Sequence, residues 1–187
     1  THAPGIRKPN LNELYMHQAY SVALRSYCLK RQVGAIIVHE KYKQKNKSKS
    51  LKIDREIQES YVIATGCNNV PIGENDCELE YHKDAVKCYR DKAKEAYFKA
   101  VNHCRKCGKK LLQMVYTCEN CGCDNLELPG RLLDLCRSVH AEEAAILQAV
   151  KLGGTSLEGS KLYTTTFPCL LCSKKIINSG IKNIVYL

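Results

Sequence analysis

Twelve of the 187 residues are cysteine, and six of them form three Cys-x-x-Cys pairs: Cys104 with Cys107, Cys118 with Cys121, and Cys169 with Cys172. A chain this rich in thiols either closes them as disulfides or uses them on metals, and the two outcomes belong to different redox compartments. The first ten residues contain Arg7, Lys8 and two prolines but no apolar stretch, so they do not read as a secretory signal. The cysteines are therefore expected to be metal ligands in a reducing, cytoplasmic setting. With 44% apolar and 26% charged residues the chain is expected to fold, which excludes wholesale disorder, a collagen-like rod and a coiled coil. No apolar run approaches the roughly 20 residues needed to cross a bilayer, so no membrane partner is expected. The length suits one or at most two domains.

Net charge is +10, but Lys41, Lys43, Lys45, Lys47, Lys49 and Lys52 lie in one stretch without an acid among them. Without those six the balance falls to +4. The basicity belongs mainly to a polar insertion at 39–60, best read as a solvated loop. A nucleic-acid arm is the less favoured alternative, because Tyr42 is its one stacking aromatic.

Periodicity predicts a helix from Asn10 to about Ser26, with Asn10 as N-cap and Glu13 completing a capping box. Val33 to Val38 and Tyr61 to Thr65 are continuous apolar runs suited to buried strands, joined by the lysine loop. Glu78 to Asn102 lacks Gly and Pro and is expected to be helical. Farther on come a helix from Ala141 to about Lys151, a strand from Lys161 to Thr165, a helix from Cys169 to Asn178 ended by Gly180, and a strand from Ile184 to Leu187. Strand, helix and strand with short links predict a right-handed parallel crossover, hence an α/β fold.

His140-Ala141-Glu142 and Pro168-Cys169-Leu170-Leu171-Cys172 both fall at predicted helix N-termini. Cys169 and Cys172 are three residues apart, which puts their sulfurs on one face, and the helix dipole there favours thiolate. One imidazole and two thiolates are three protein ligands. A fourth tetrahedral position is left for water, the open geometry of a catalytic zinc. Glu142 is not needed as a ligand and can carry a proton between water and a leaving amine. The pairing of His-x-Glu with Pro-Cys-x-x-Cys is the arrangement of zinc deaminases.

Cys104-x2-Cys107 and Cys118-x2-Cys121 are ten residues apart, and each pair is followed by glycine, at 108 and 122. That is the spacing of a zinc ribbon, an insertion at 103–125 whose four thiolates close the coordination shell around a structural metal. Cys123 is a candidate substitute for Cys121, and His103 a weaker one.

The chain resembles the deoxycytidylate deaminase branch of the zinc-dependent cytidine deaminase superfamily. The resemblance spans most of residues 10–187 outside the two insertions. Besides the zinc motifs it rests on Ala23-Leu24-Arg25-Ser26, Gln32-Val33-Gly34-Ala35, Gly66-Cys67-Asn68-Asn69-Val70-Pro71, Cys136-Arg137-Ser138-Val139 and Gly180-Ile181-Lys182. It implies a three-layer α/β/α sheet domain that deaminates a deoxycytidine nucleotide, dCMP or dCTP. It also implies a homo-oligomer, with a nucleotide effector among its ligands. On this resemblance Asn68 matches the residue that holds the sugar, Arg25 is a phosphate contact, and the loop 68–76 lies by the nucleotide or effector. Cys28, Cys77 and Cys136 match the ligands of a further structural zinc, with Cys88 as the fourth. The alternative for these four is that they are free thiols packed as small hydrophobes.

Two departures stand out. Ala144 occupies the place where the family usually has Asn, and the family's sheet continues beyond 184–187, so a longer parent protein is expected. The chain is also similar to the deaminase parts of larger bacterial antiviral proteins, a likeness that implies depletion of deoxycytidine nucleotides during phage infection. Two other functions share these motifs: a DNA or RNA deaminase, and a non-catalytic zinc-containing regulatory module. The intact Glu142 argues against the second of these.

Overall fold

The computed structural model describes residues 7–43, 56–77, 88–100, 103–104, 106–110, 117–123 and 136–187. The chain divides into two units, residues 1–76 with 138–187, and residues 77–137. The elements in order are α1 (Leu11–Ala23), β1 (Gly34–Lys43), β2 (Glu56–Cys67), α2 (Tyr89–Ala100), α3 (Ala141–Lys151), β3 (Lys161–Thr164), α4 (Leu170–Asn178) and β4 (Asn183–Tyr186).

The first unit is built on a four-stranded sheet in the order β2-β1-β3-β4. The pairs β1/β2 and β1/β3 are antiparallel, while β3/β4, linked through α4, is parallel. Side chains alternate across a strand, and β1 uses this to serve two cores. Ala35 and Ile37 pack with α3 and α4, whereas Ile36 and Val38 pack with α1. Leu162 and Tyr163 on β3 divide in the same way. A central strand with apolar residues on both faces reads as the continuous run Val33 to Val38. The result is the expected three-layer α/β/α arrangement.

Helices approach the sheet closely because small residues face it. Ala19 and Ala23 of α1 repeat at an interval of four, as do Ala141, Ala145 and Ala149 of α3, and all five are buried. A β-carbon on Gly34 would overlap the backbone of Ala19 and Ala23. One on Gly66 would overlap the Ala141 carbonyl oxygen and the Ala145 amide nitrogen. These two glycines set how near α1 and α3 lie to opposite faces of the same end of the sheet.

Several boundaries differ from those expected. Helix α1 begins with the predicted capping box, Glu13 N donating to Asn10 Oδ1 at 2.9 Å and Asn10 N to Glu13 Oε2 at 2.8 Å. It ends at Ala23 rather than near Ser26, because tertiary hydrogen bonds claim the next residues: Ser26 Oγ donates to Asn68 O and Tyr27 N to Asn69 Oδ1. Residues 39–43 and 56–60, expected inside the basic loop, instead prolong β1 and β2. Once the buried part of an antiparallel pair is in register, backbone hydrogen bonds extend it through polar residues. His39 packs on Tyr61, and Lys41 pairs with Glu59 across the strands at 3.0 Å. Residues 44–55, with Lys45, Lys47, Lys49 and Lys52, lie outside the described residues.

The second unit contains α2 and the cysteine pairs of the ribbon. It extends on both sides of the 103–125 insertion. Helix α2 starts at Tyr89, over whose ring the Arg137 guanidinium sits at 4.8 Å. The earlier part of the predicted helix, 78–87, lies outside the described residues.

Candidate active site and metal centres

Two helix N-termini meet at the predicted site. His140 is the N-cap of α3 and Cys169 the N-cap of α4, so that helix begins at Leu170, one residue after the expected start at Cys169. Neither side chain is used to cap its own helix, which leaves both available for another partner. His140 Nδ1 lies 3.4 Å from Cys169 Sγ and 3.4 Å from Cys172 Sγ. For tetrahedral zinc with bonds near 2.1 Å to nitrogen and 2.3 Å to sulfur, the nitrogen-to-sulfur edge is about 3.6 Å. The observed spacing fits a zinc ion, with Nδ1 as the imidazole ligand.

Charge at the site points the same way. Burial first, then the neighbouring Glu142 carboxylate and Cys169, push the Cys172 thiol well above its usual range. A buried thiol beside a carboxylate ionises only if a cation joins them, and a divalent metal supplies that compensation. Glu142 itself is buried in the first turn of α3, close enough to Cys172 to interact through both charge and a hydrogen bond. Glu143 and Lys175 form an ion pair between α3 and α4, the two helices that carry the three ligand candidates.

The turn after β2 braces this end of the sheet. Asn68 Oδ1 accepts from Val33 N at 2.7 Å, and its Nδ2 donates to Arg31 O at 2.8 Å. The side chain expected to hold a sugar therefore has a structural task that the sequence did not reveal. Asn69 does more. Its Oδ1 accepts from Tyr27 N, its Nδ2 donates to Arg25 O, and its carbonyl accepts from Val139 N at 2.9 Å. Arg25, the expected phosphate contact, is close enough for its charge to draw down the Cys67 thiol, although burial raises that thiol overall. Only the Asn-Asn repeat hinted at the part played by Asn69, since its partners lie 42 to 70 residues away in sequence.

In the second unit Cys104, Cys107, Cys118 and Cys121 bring their sulfurs within 4.8 Å of one another, as expected for a ribbon. The two knuckles repeat one hydrogen-bond pattern. Gly108 N donates to Cys104 O and Gly122 N to Cys118 O, each at 2.8 Å, with both glycines in the left-handed region at φ 67° and 64°. Amides of Cys107 and Lys106 donate to the Cys104 sulfur and help pull its thiol down to about 6. His103 is not among these ligands. Cys28 belongs to the first unit and Cys77, Cys88 and Cys136 to the second, all of them half-buried, and none is part of either ligand cluster found among the described residues.

Residues 56–187 match the family model for the cytidine and deoxycytidylate deaminase zinc-binding region. The chain belongs to that deaminase family. Among curated relatives, the deoxycytidylate deaminase of Schizosaccharomyces pombe is 29% identical over 185 residues, covering 98% of this chain and 38% of that protein. The Saccharomyces cerevisiae deoxycytidylate deaminase is 27% identical over 183 residues, 97% of this chain and 38% of that one. This deaminase-family chain thus spans less than two fifths of either fungal relative. A crystal structure of dCMP deaminase from the cyanophage S-TIM5, in complex with dCMP and dUMP, aligns with a TM-score of 0.49 at 23% identity, covering 97% of this chain and 83% of that one. Membership agrees with the motifs at 140–142 and 168–172, and the family's zinc-binding character agrees with the fit of the His140 cluster. No helix among the described residues is long and apolar enough to cross a membrane.

Proposed function

We propose that this chain carries the hydrolytic deaminase activity for a deoxycytidine nucleotide, dCMP or dCTP, converting it with water to the deoxyuridine nucleotide and ammonia. The observation that carries the proposal is the convergence of His140 Nδ1 with Cys169 and Cys172 at 3.4 Å, beside the buried carboxylate of Glu142. Zinc bound by these three residues supplies a Lewis acid that makes water a nucleophile at neutral pH. His140, Cys169 and Cys172 hold the metal, and Glu142 moves the protons. Its carboxylate takes a proton from the water that attacks C4 of the pyrimidine, gives it to N3, and then serves the departing ammonia. Burial suits this task, because a carboxylate sheltered from bulk water exchanges protons with its neighbours instead.

Arg25 is the proposed phosphate contact. Asn68, which spends one amide hydrogen on Arg31, has a second to offer a sugar hydroxyl. The four thiols at 104, 107, 118 and 121 are proposed to hold a second, structural zinc, giving two per chain. A nucleotide effector at the loop 68–76 and an oligomeric assembly belong to the same reading.

The test is a side-by-side assay of the purified chain on dCMP, dCTP and single-stranded DNA, with zinc quantified in parallel. Nucleotide turnover is expected, together with a fall in kcat of about 10² to 10⁴ for Glu142→Gln at unchanged zinc content. A Glu142→Gln protein with normal turnover would overturn the role given to this residue. Turnover of DNA alone would replace the substrate, and none on any cytosine substrate at full zinc would leave a regulatory module.

A further inference from the structure

The ribbon contains five cysteines where four close a zinc shell, and the fifth is placed like a ligand. For tetrahedral zinc with sulfur ligands at about 2.3 Å, each sulfur-to-sulfur edge is about 3.8 Å. Two opposite edges of the cluster have nearly this length, Cys104 to Cys121 and Cys107 to Cys118, both 3.7 Å. Cys123 Sγ lies 3.4 Å from Cys104 Sγ and 3.1 Å from Cys121 Sγ. It therefore flanks the corner that Cys121 occupies. A separation of 3.1 Å is too short for two thiolates bound to one tetrahedral ion, so Cys121 and Cys123 compete for a single position.

The internal repeat of the ribbon explains how Cys123 reaches this place. In the first knuckle Cys104 N donates to Lys109 O, and the Lys109 amide donates to the Cys107 sulfur. In the second, Cys118 N donates to Cys123 O, and the Cys123 amide donates to the Cys121 sulfur. Lys109 and Cys123 are equivalent positions. The second knuckle has a thiol where the first has an ammonium, and its backbone is held against the metal corner by the same two hydrogen bonds. A side-chain rotation at Cys123, with no backbone change, moves its sulfur toward the corner once Cys121 leaves.

We infer that the fourth ligand of the ribbon metal is redundant: Cys121 and Cys123 exchange at one coordination position of a single zinc ion. The inference rests on the reading that the ribbon takes zinc. Its consequence is a metal that keeps four thiolates while one ligand turns over, so loss of either thiol alone does not release it. The site is a sulfur-only one, suited to zinc and to other thiophilic divalent ions.

The experiment uses the whole chain and its variants Cys121→Ser, Cys123→Ser, the double variant and Cys107→Ser, with metal per chain measured after dialysis. Each protein is also loaded with Co²⁺, whose absorption distinguishes four thiolate ligands from three. Wild type and both single variants are expected to retain two metals per chain, with a four-thiolate ribbon spectrum. The double variant and Cys107→Ser should lose one metal, or the four-thiolate spectrum. Loss in Cys121→Ser alone would overturn the exchange and make Cys121 the sole fourth ligand. A double variant that stays fully loaded with four-thiolate cobalt would overturn it from the other side. A wild-type chain with one metal, unchanged by Cys107→Ser, would show instead that the ribbon takes no zinc, a failure of the underlying reading. Deaminase turnover, which depends on the other unit's ligands, serves as the folding control across the series.

Discussion

The carbonyl of Asn69 accepts a hydrogen bond from the amide of Val139 at 2.9 Å, joining the turn after β2 to the residue just before His140. The same asparagine holds the loop after α1 through Arg25 O at 3.0 Å and Tyr27 N at 2.8 Å. One residue thus ties the candidate phosphate loop to the candidate metal loop.

Replacing Asn69 with alanine keeps the carbonyl bond and removes the two side-chain bonds to the Arg25–Tyr27 segment. At about 1 kcal/mol each, the expected loss of stability is about 2 kcal/mol, read by urea unfolding. The loop that carries Arg25 loses two of its ties and keeps the one from Ser26 Oγ to Asn68 O, while His140 keeps its own. KM for a phosphorylated substrate should therefore rise several-fold with zinc content unchanged, and an effect on kcat alone would contradict this assignment.

Gly66 and Gly34 separate the site from the rest of the core. A methyl group at Gly66 meets the backbone of α3 at Ala141 and Ala145, and so pushes on the turn that carries His140 and Glu142. Gly34→Ala meets α1 on the other face instead. Both substitutions should destabilise the fold by about 1 to 3 kcal/mol. At matched folded fraction, Gly66→Ala alone should weaken zinc binding and turnover, as measured by chelator competition and initial rates.

Zinc affinity at the His140 cluster should fall as the solution becomes more acid. The Cys172 thiol is raised by burial and by the Glu142 charge, so it holds its proton across neutral pH and the metal must displace it. Each thiol proton displaced weakens apparent affinity about tenfold per unit decrease in pH. Affinity measured from pH 8 to pH 6 should follow that slope or a steeper one. A flat profile would mean that the Cys172 thiol is already ionised in the metal-free protein.

Lys161 and Glu40 form a shielded ion pair at 3.0 Å between β3 and β1, with side chains 17% and 4% exposed. Lys161→Met removes the charge partner of the more deeply buried carboxylate, leaving it the Tyr163 hydroxyl at 3.5 Å, and should cost about 3 kcal/mol. The double variant Lys161→Met with Glu40→Gln should recover much of that loss in urea unfolding, which is the signature of direct coupling.

The candidate site was legible in the sequence because it is local. His140, Glu142, Cys169 and Cys172 lie within single helix starts, where spacing decides which side chains share a face, and the ribbon cysteines lie within single knuckles. The strands were legible where both faces are apolar, as in Val33 to Val38. Their polar continuations, 39–43 and 56–60, were not, since pairing there follows from a register already set by the buried part.

Residue types and spacings by themselves determined the α/β class, the candidate proton carrier and two sets of candidate metal ligands, and the resemblance carried by the motifs pointed to the family. Tertiary structure decided what depends on distant partners. It ended α1 at Ala23, gave Asn68 and Asn69 their bracing roles, selected Nδ1 of His140, and brought Cys123 to the Cys121 corner. The physical reason is the range of the interactions: a helix start or a knuckle is specified by neighbours a few residues apart, whereas a hydrogen bond spanning 42 residues exists only after the sheet has brought its ends together.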